Sequence, residues 1–317
     1  MKIIGEKFII DGITYTEEEL CREDKKGYTL AHKFAKTHVF PKDFKYWGLK
    51  NRSGFTVAFV AAVYGKLPVG FDQWDLEDAY GHTIAHAAAY SGYNFPEDFD
   101  KWELRDKSGV LVVALYAMYG KTPKNFNNWA LLNSDGESVA HIALKHNCLP
   151  IGFDQFDIVN KEGLSVLDYC VLYCRFPQGF NNWEMPYKDS TVAHQFALRN
   201  YLPKNFNQWE IRDKKGRTVA HALAEKRRLP RDFKFWHLAD QNGWTVAHTA
   251  ASYRHLPRGF TKWKLADKYG TTVAHIAATN GELPHDFKRW DLSDNDGWTV
   301  AHEFAFHGEK GLKPKRV

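Results

Sequence analysis

Small apolar side chains recur in short bursts along the chain, as in Val273, Ala274, Ala277 and Ala278, each burst opened by a polar residue, most often Thr. Apolar positions three to four apart predict a short helix buried on one face, and their small size lets neighbouring helices approach closely. The Thr is a good N-cap, because its hydroxyl accepts from the otherwise unpaired N–H groups of the first helical turn. At the far end Gly65, Gly92, Gly120 and Gly281 suit a left-handed C-cap. Leu-Pro then opens a turn, and Phe-x-x-Trp predicts one face of a very short second helix. Trp-x-Leu-x-Asp, followed by two polar residues and Gly, predicts an extended segment entering a turn.

These pieces return at a fixed period. Taking the turn glycine as marker gives Gly27, Gly54, Gly81, Gly109, Gly136, Gly163, then Asp189 in the same frame, then Gly216, Gly243, Gly270 and Gly297, a spacing of 27 residues broken by one insertion and one deletion. Proline follows each of the first ten markers, from Pro41 to Pro284, with Phe three further on and Trp three beyond that, replaced once by Phe156. Such a period outranks any local motif and predicts a repeat architecture. One Phe, one Trp and a few aliphatic side chains are too little core for 27 residues to fold alone, so neighbours must complete it. The domain reading is an N-terminal cap over 1–26, a repeat array over 27–302, and a C-terminal cap with a frayed basic tail over 303–317. The centre is least regular: Val110 to Tyr119 is an apolar run, and Asp189 replaces the glycine. Either a bend or specialisation for a ligand accounts for it.

Asp-x-x-Gly-x-Thr followed by an apolar pair, His, x, Ala-Ala, x, x and Gly resembles the first half of the ankyrin repeat, most closely over Asp78 to Gly92 and Asp267 to Gly281. Two departures stand out: Val-Ala takes the place of the family's Pro-Leu before His, and the second helix is shortened. The resemblance implies a mainly all-α, ankyrin-like α-solenoid of about ten to eleven stacked helix-turn-helix repeats with short extended turns. It also implies a recognition face lined by the turn tips, and a non-enzymatic interaction scaffold. Degenerate arrays of this kind resemble bacterial effectors and phage-encoded host modulators, which bind and occlude one protein target.

Composition excludes little. Hydrophobic residues at 44% and charged residues at 26% are ordinary for a folded chain. No apolar stretch reaches the roughly 18 residues of a membrane span, so no membrane association and a cytoplasmic location, in the producing cell or a host cell, are expected. Cys21, Cys148, Cys170 and Cys174 do not follow the period, as a disulfide framework would, and are read as free thiols. No phosphate loop, nucleophile elbow or paired-His zinc motif stands out, so no catalytic residue, cofactor or metal is assigned.

His32, His86, His141, His194, His221, His248, His275 and His302 fall five residues after their markers, replaced elsewhere by Phe59, Ala114 and Asp168. Equivalent atoms of stacked helices lie about 8 to 10 Å apart, whereas nitrogens sharing a zinc lie within about 4 Å. The ladder is therefore structural, and the ankyrin resemblance implies that each His bonds backbone near its own Thr and the adjoining turn.

Function is sought where the repeat varies. Tyr28, Phe55, His82, Val110, Leu164, Trp244 and Trp298 follow their markers at the turn tip, where a bulky side chain has no evident packing role, so they are assigned to partner binding. Stacking of aromatics on adjacent tips is the alternative. Residues 68–106 hold nine acidic and two basic side chains, and residues 199–234 eleven basic and four acidic. Lys214, Lys215, Arg217, Lys226, Arg227 and Arg228 form the candidate basic patch for an acidic patch on a protein partner, or for nucleic acid. A solvated charged face is the plain alternative, and a monomer is expected.

Overall fold

The computed structural model describes residues 2–4, 7–25, 27–123 and 126–311, and divides the chain into two compact units, 1–180 and 181–317. The division falls within the irregular centre. Residues 312–317, most of the predicted basic tail, lie outside the described residues.

Unit 1 begins with an antiparallel sheet of β1 (Lys2–Ile4), β2 (Lys7–Ile10) and β3 (Ile13–Thr16), followed by α1 (Glu17–Cys21), which Thr16 and Glu19 close in a capping box. Phe8 meets Phe44 edge-on at 5.7 Å, and Ile10 and Leu20 are fully buried in the same core. Then come α2 (Leu30–Ala35), α3 (Val57–Val63), α4 (Ile84–Tyr90), α5 (Val112–Met118), α6 (Val139–Lys145) and α7 (Val166–Tyr173). Unit 2 holds the short hairpin β4 (Pro186–Tyr187) and β5 (Ser190–Thr191), then α8 (Val192–Arg199), α9 (Val219–Glu225), α10 (Val246–Ser252), α11 (Val273–Thr279) and α12 (Val300–Gly311). Within each unit every repeat helix packs on the next, an arrangement compatible with a helical repeat.

Helices of seven residues are too short to persist alone. Their starts show what holds them. In α3 the N–H of Val57 donates to Leu49 O and that of Ala58 to Trp47 O, both at 3.0 Å, while Phe59 N donates to Thr56 Oγ1 at 3.0 Å. In α10 Val246 and Ala247 donate in the same way to Leu238 O and Trp236 O, at 2.8 and 3.2 Å. The Trp-x-Leu carbonyls of one turn thus satisfy the open N–H groups of the next helix.

That use of the carbonyls corrects the expectation of a second helix in each repeat. After the proline there are only single turns: Phe44 N returns to Pro41 O at 3.0 Å, and Leu49 N to Tyr46 O at 3.1 Å. The Trp47 and Leu49 carbonyls are engaged by α3, so no i→i+4 ladder continues through them, and the repeat is one helix with two turns. At the other end, α12 runs to Gly311, and Phe304 packs on Trp290 at 5.2 Å.

The Phe-x-x-Trp pairs form the spine of the core. In unit 1 Phe44, Trp47, Phe71, Trp74, Phe99 and Trp102 meet edge-to-face in sequence at 4.6–5.4 Å. In unit 2 the run from Trp183 through Phe206, Trp209, Phe233, Trp236, Phe260, Trp263 and Phe287 to Trp290 repeats the contact at 5.0–6.1 Å. Edge-to-face pairing places a positive ring edge on a negative ring face and adds to the area buried.

Candidate functional site

The turn tips are built by an Asp or Asn three residues before each marker glycine. Asp78 Oδ1 accepts from Tyr80 N and His82 N at 2.8 and 3.0 Å, and Asp240 Oδ1 from Asn242 N and Trp244 N at 2.8 and 3.0 Å. The glycine completes the turn with positive φ, +84° at Gly81 and +78° at Gly243. Where Asp189 replaces it, β4 and β5 close the tip and Lys188 takes the left-handed conformation, φ +55°, so glycine is not required in that frame.

The tip residue's carbonyl is the acceptor for the preceding histidine. His32 Nε2 lies 3.0 Å from Phe55 O, His86 Nε2 2.8 Å from Val110 O, His221 Nε2 2.9 Å from Trp244 O and His275 Nε2 3.0 Å from Trp298 O; His141, His194 and His248 repeat this on Leu164, Arg217 and Thr271. A carbonyl can only accept, so Nε2 carries the proton and Nδ1 accepts from the Thr or Ser hydroxyl, at 2.6–2.9 Å. Each ring pins its own helix start to the following tip. Burial lowers the pKa of His32, His86, His141, His194 and His248, and that of His221 to about 4, so these rings are neutral at pH 7. His302 keeps the Thr299 contact at 2.9 Å but is solvent-exposed, and Asp168 in its place closes a capping box on Ser165.

The tip side chains correct the expectation that they have no packing role. Phe55 stacks on Phe59 at 4.9 Å, Trp244 lies over His248 at 4.9 Å with Nε1 donating to Thr249 Oγ1 at 3.1 Å, and Tyr28 meets His32 edge-on at 6.5 Å. Trp298, 42% exposed, covers His302 and donates to Glu303 Oε2 at 2.8 Å. With its backbone tied at both ends, the tip side chain folds back over its own helix. Tip-to-tip stacking also occurs, Phe55 on Tyr80 at 5.8 Å. Val110 is half-buried, and Leu164 and His82 are exposed.

What unit 1 does leave open lies one turn further along the helices. Val63, Tyr90, Met118 and Leu172, each nine residues after its marker, are exposed large apolar side chains. Between the tips and this row, Ala87 stands where adjacent repeats have Val60 and Leu115, and a hollow of about 340 Å³ opens above it. Phe59, Val63, Tyr90, Val110 and Leu115 form its walls. On the tip side lie His82 and Asp106, with His82 Nδ1 3.2 Å from Asp78 Oδ2 and Nε2 4.0 Å from Asp106 Oδ2. Sequence reasoning missed this row; the signal was large apolar residues at one fixed offset in four of the six repeats, with Lys36 and Lys145 in the others.

In unit 2 the same offset carries Leu198, Glu225, Ser252, Thr279 and the exposed Phe306. The basic patch there joins a tip to a helix end. Lys214, Lys215 and Arg217 belong to the tip, with Lys214 Nζ 3.0 Å from Asp189 Oδ1 and Arg217 Nη2 2.9 Å from Glu225 Oε2. Lys226, Arg227 and Arg228 sit at the far end of α9, exposed. The α9 backbone between the groups spans about 10 Å, and the Arg217 and Lys226 side chains meet at the Glu225 carboxylate, at 2.9 and 3.8 Å. No helix among the described residues is long and apolar enough to cross a membrane. No family model matches the chain, and the search of curated proteins finds no match.

Proposed function

We propose that the chain is an ankyrin-like solenoid that acts as a protein-interaction scaffold, docking one partner on the face that the tips and helices of unit 1 present. The observation that carries the reading is the hollow over Ala87, walled by the exposed Val63 and Tyr90, with Met118 exposed at the same offset of the next helix. An open row of large apolar side chains around a cavity that fits one side chain is the pattern of a binding hot spot, where a buried anchor contributes most of the energy. The tips contribute the rim instead of the anchor, because their aromatic rings are partly engaged by their own helices. A partner held over this face has whatever it presents there blocked, which is the steric form of inhibition.

Ala87→Trp fills the hollow from its floor, and Tyr90→Glu charges its rim. A protein captured by the wild-type chain and lost from both variants, at an unchanged melting temperature, supports the reading. Equal capture by wild type and both variants overturns it.

A further inference from the structure

Eleven residues after most markers the chain leaves its helix in the left-handed conformation. Unit 1 uses glycine for this at Gly65, Gly92 and Gly120, with φ +65° to +72°, and the short side chains of Asn147 and Cys174 at φ +57° and +52°. Unit 2 uses Asn200, then Arg227 at φ +60° and Arg254 at φ +59°, and returns to glycine at Gly281. Asn tolerates this region; a long side chain is disfavoured there, because its Cβ crowds the following carbonyl. Two consecutive repeats therefore hold arginine where glycine is the relaxed choice. Favourable charge at a helix C-terminus does not require it, since Lys226 already follows the end of α9 at an ordinary negative φ of −96°.

The guanidinium of Arg227 is held by the next repeat. Its Nε donates to His255 Nε2 at 2.6 Å and its Nη2 to Tyr253 O at 3.3 Å. Burial lowers the His255 pKa, which keeps that ring neutral and able to accept. Arg199, Arg228 and Arg258 are exposed on the same helix ends and the turns after them, and Tyr201 and Tyr253, 59% and 45% exposed, stand among them. The carboxylate in this stretch of α9, Glu225, is occupied by Arg217 at 2.9 Å and Lys226 at 3.8 Å. The surface is thus rich in arginine and interleaved with exposed phenol rings, with Glu282 and Asp286 bordering it beside Arg258.

We infer that this ridge binds the phosphodiester backbone of a single-stranded nucleic acid, a binding site separate from the protein-docking face of unit 1. Guanidinium groups present paired donors that match phosphate oxygens, and tyrosine faces stack bases without regard to sequence. An acidic peptide would meet the charge but would leave the tyrosines without a role.

The test uses the full chain and fluorescein-labelled 12-residue oligo(dT) and oligo(U) in fluorescence polarisation. Binding is expected at 50 mM salt and weakens with a log–log salt slope of about −3, the value for about four phosphate contacts on a single strand. Arg227→Gly with Arg254→Gly weakens binding about tenfold or more while the melting temperature is unchanged or raised. Arg228→Ser with Arg258→Ser, which alters exposed side chains alone, also weakens it. Ala87→Trp leaves it intact, so failure here and failure of the docking face are distinguishable. Absence of binding at 50 mM salt overturns the inference. So does binding that both pairs of variants leave unchanged, or displacement by poly-glutamate at concentrations as low as unlabelled oligonucleotide requires.

Discussion

Ahead of its prolines unit 1 places Phe40, Phe95 and Phe176 in three of six repeats, where unit 2 has Leu202, Leu229, Leu256 and Leu283 throughout. Phe40 deepens the core of unit 1 around Trp47. Trp47, with Phe40, Phe44 and Phe71 within 6.0 Å, is 1% exposed, whereas Trp263, between Phe260 and Phe287, is only half-buried. The outward offsets of successive repeats differ too, Val63, Tyr90 and Met118 against Glu225, Ser252 and Thr279, although Lys36 and Lys145 in unit 1 and Leu198 and Phe306 in unit 2 interrupt the pattern. The tips also differ in register. Ala79 N in unit 1 donates to the marker carbonyl of Gly54, at 2.9 Å, while Lys268 N in unit 2 donates to Asn242 O, one residue before its marker, also at 2.9 Å. One set of repeat positions therefore supports two surfaces, because the bonds that form the repeat use backbone, Thr, His and Asp and leave the outward offsets unconstrained.

The strongest way to break the comparison is through the aromatic spine. Trp47→Ala should cost about 3 to 5 kcal/mol in urea unfolding, the range for emptying a fully buried site, and Trp263→Ala about half of that. Equal losses would contradict the deeper core of unit 1. The tips offer a second test. Gly243→Ala meets both its left-handed φ of +78° and a Cβ only 2.9 Å from Lys268 N, and should cost about 2 to 3 kcal/mol. Gly163→Ala, at φ +76° with open space, should cost only about 1 kcal/mol.

The histidine ladder, common to both units, should respond to pH. A ring whose pKa is lowered on folding adds stability that is fully present above its unfolded value near 6.5 and lost as pH falls through the folded value. For His221 that window runs down to about 4. His221→Gln should therefore cost about 1 to 2 kcal/mol at pH 7, for the loss of two buried hydrogen bonds, and less as pH approaches 4. Melting curves of wild type and variant across this window check it; a difference that grows on acidification would reject neutral His221.

The 27-residue frame, Thr29 and its counterparts as caps, the left-handed glycines and the Phe-x-x-Trp core were legible because each rests on a short-range rule: a cap hydroxyl, a positive φ, a period. The second helix was misread because spacing reveals which face a Phe and a Trp share and not where the Trp47 carbonyl points. That carbonyl is taken by Ala58, eleven residues on. Phe55 and Trp244 looked free for a partner since nothing local predicts a side chain folding back over Phe59 or His248.

The order of residues by itself determined the period, the starts of most repeat helices, the tip turns and the structural nature of the histidines, because these depend mainly on neighbours within one repeat. Tertiary structure alone decided which apolar side chains stay open, that a hollow forms above Ala87, and that Arg227 is held by His255 and Tyr253. Exposure and cavities are properties of what the adjacent repeat covers, and no single repeat contains that information.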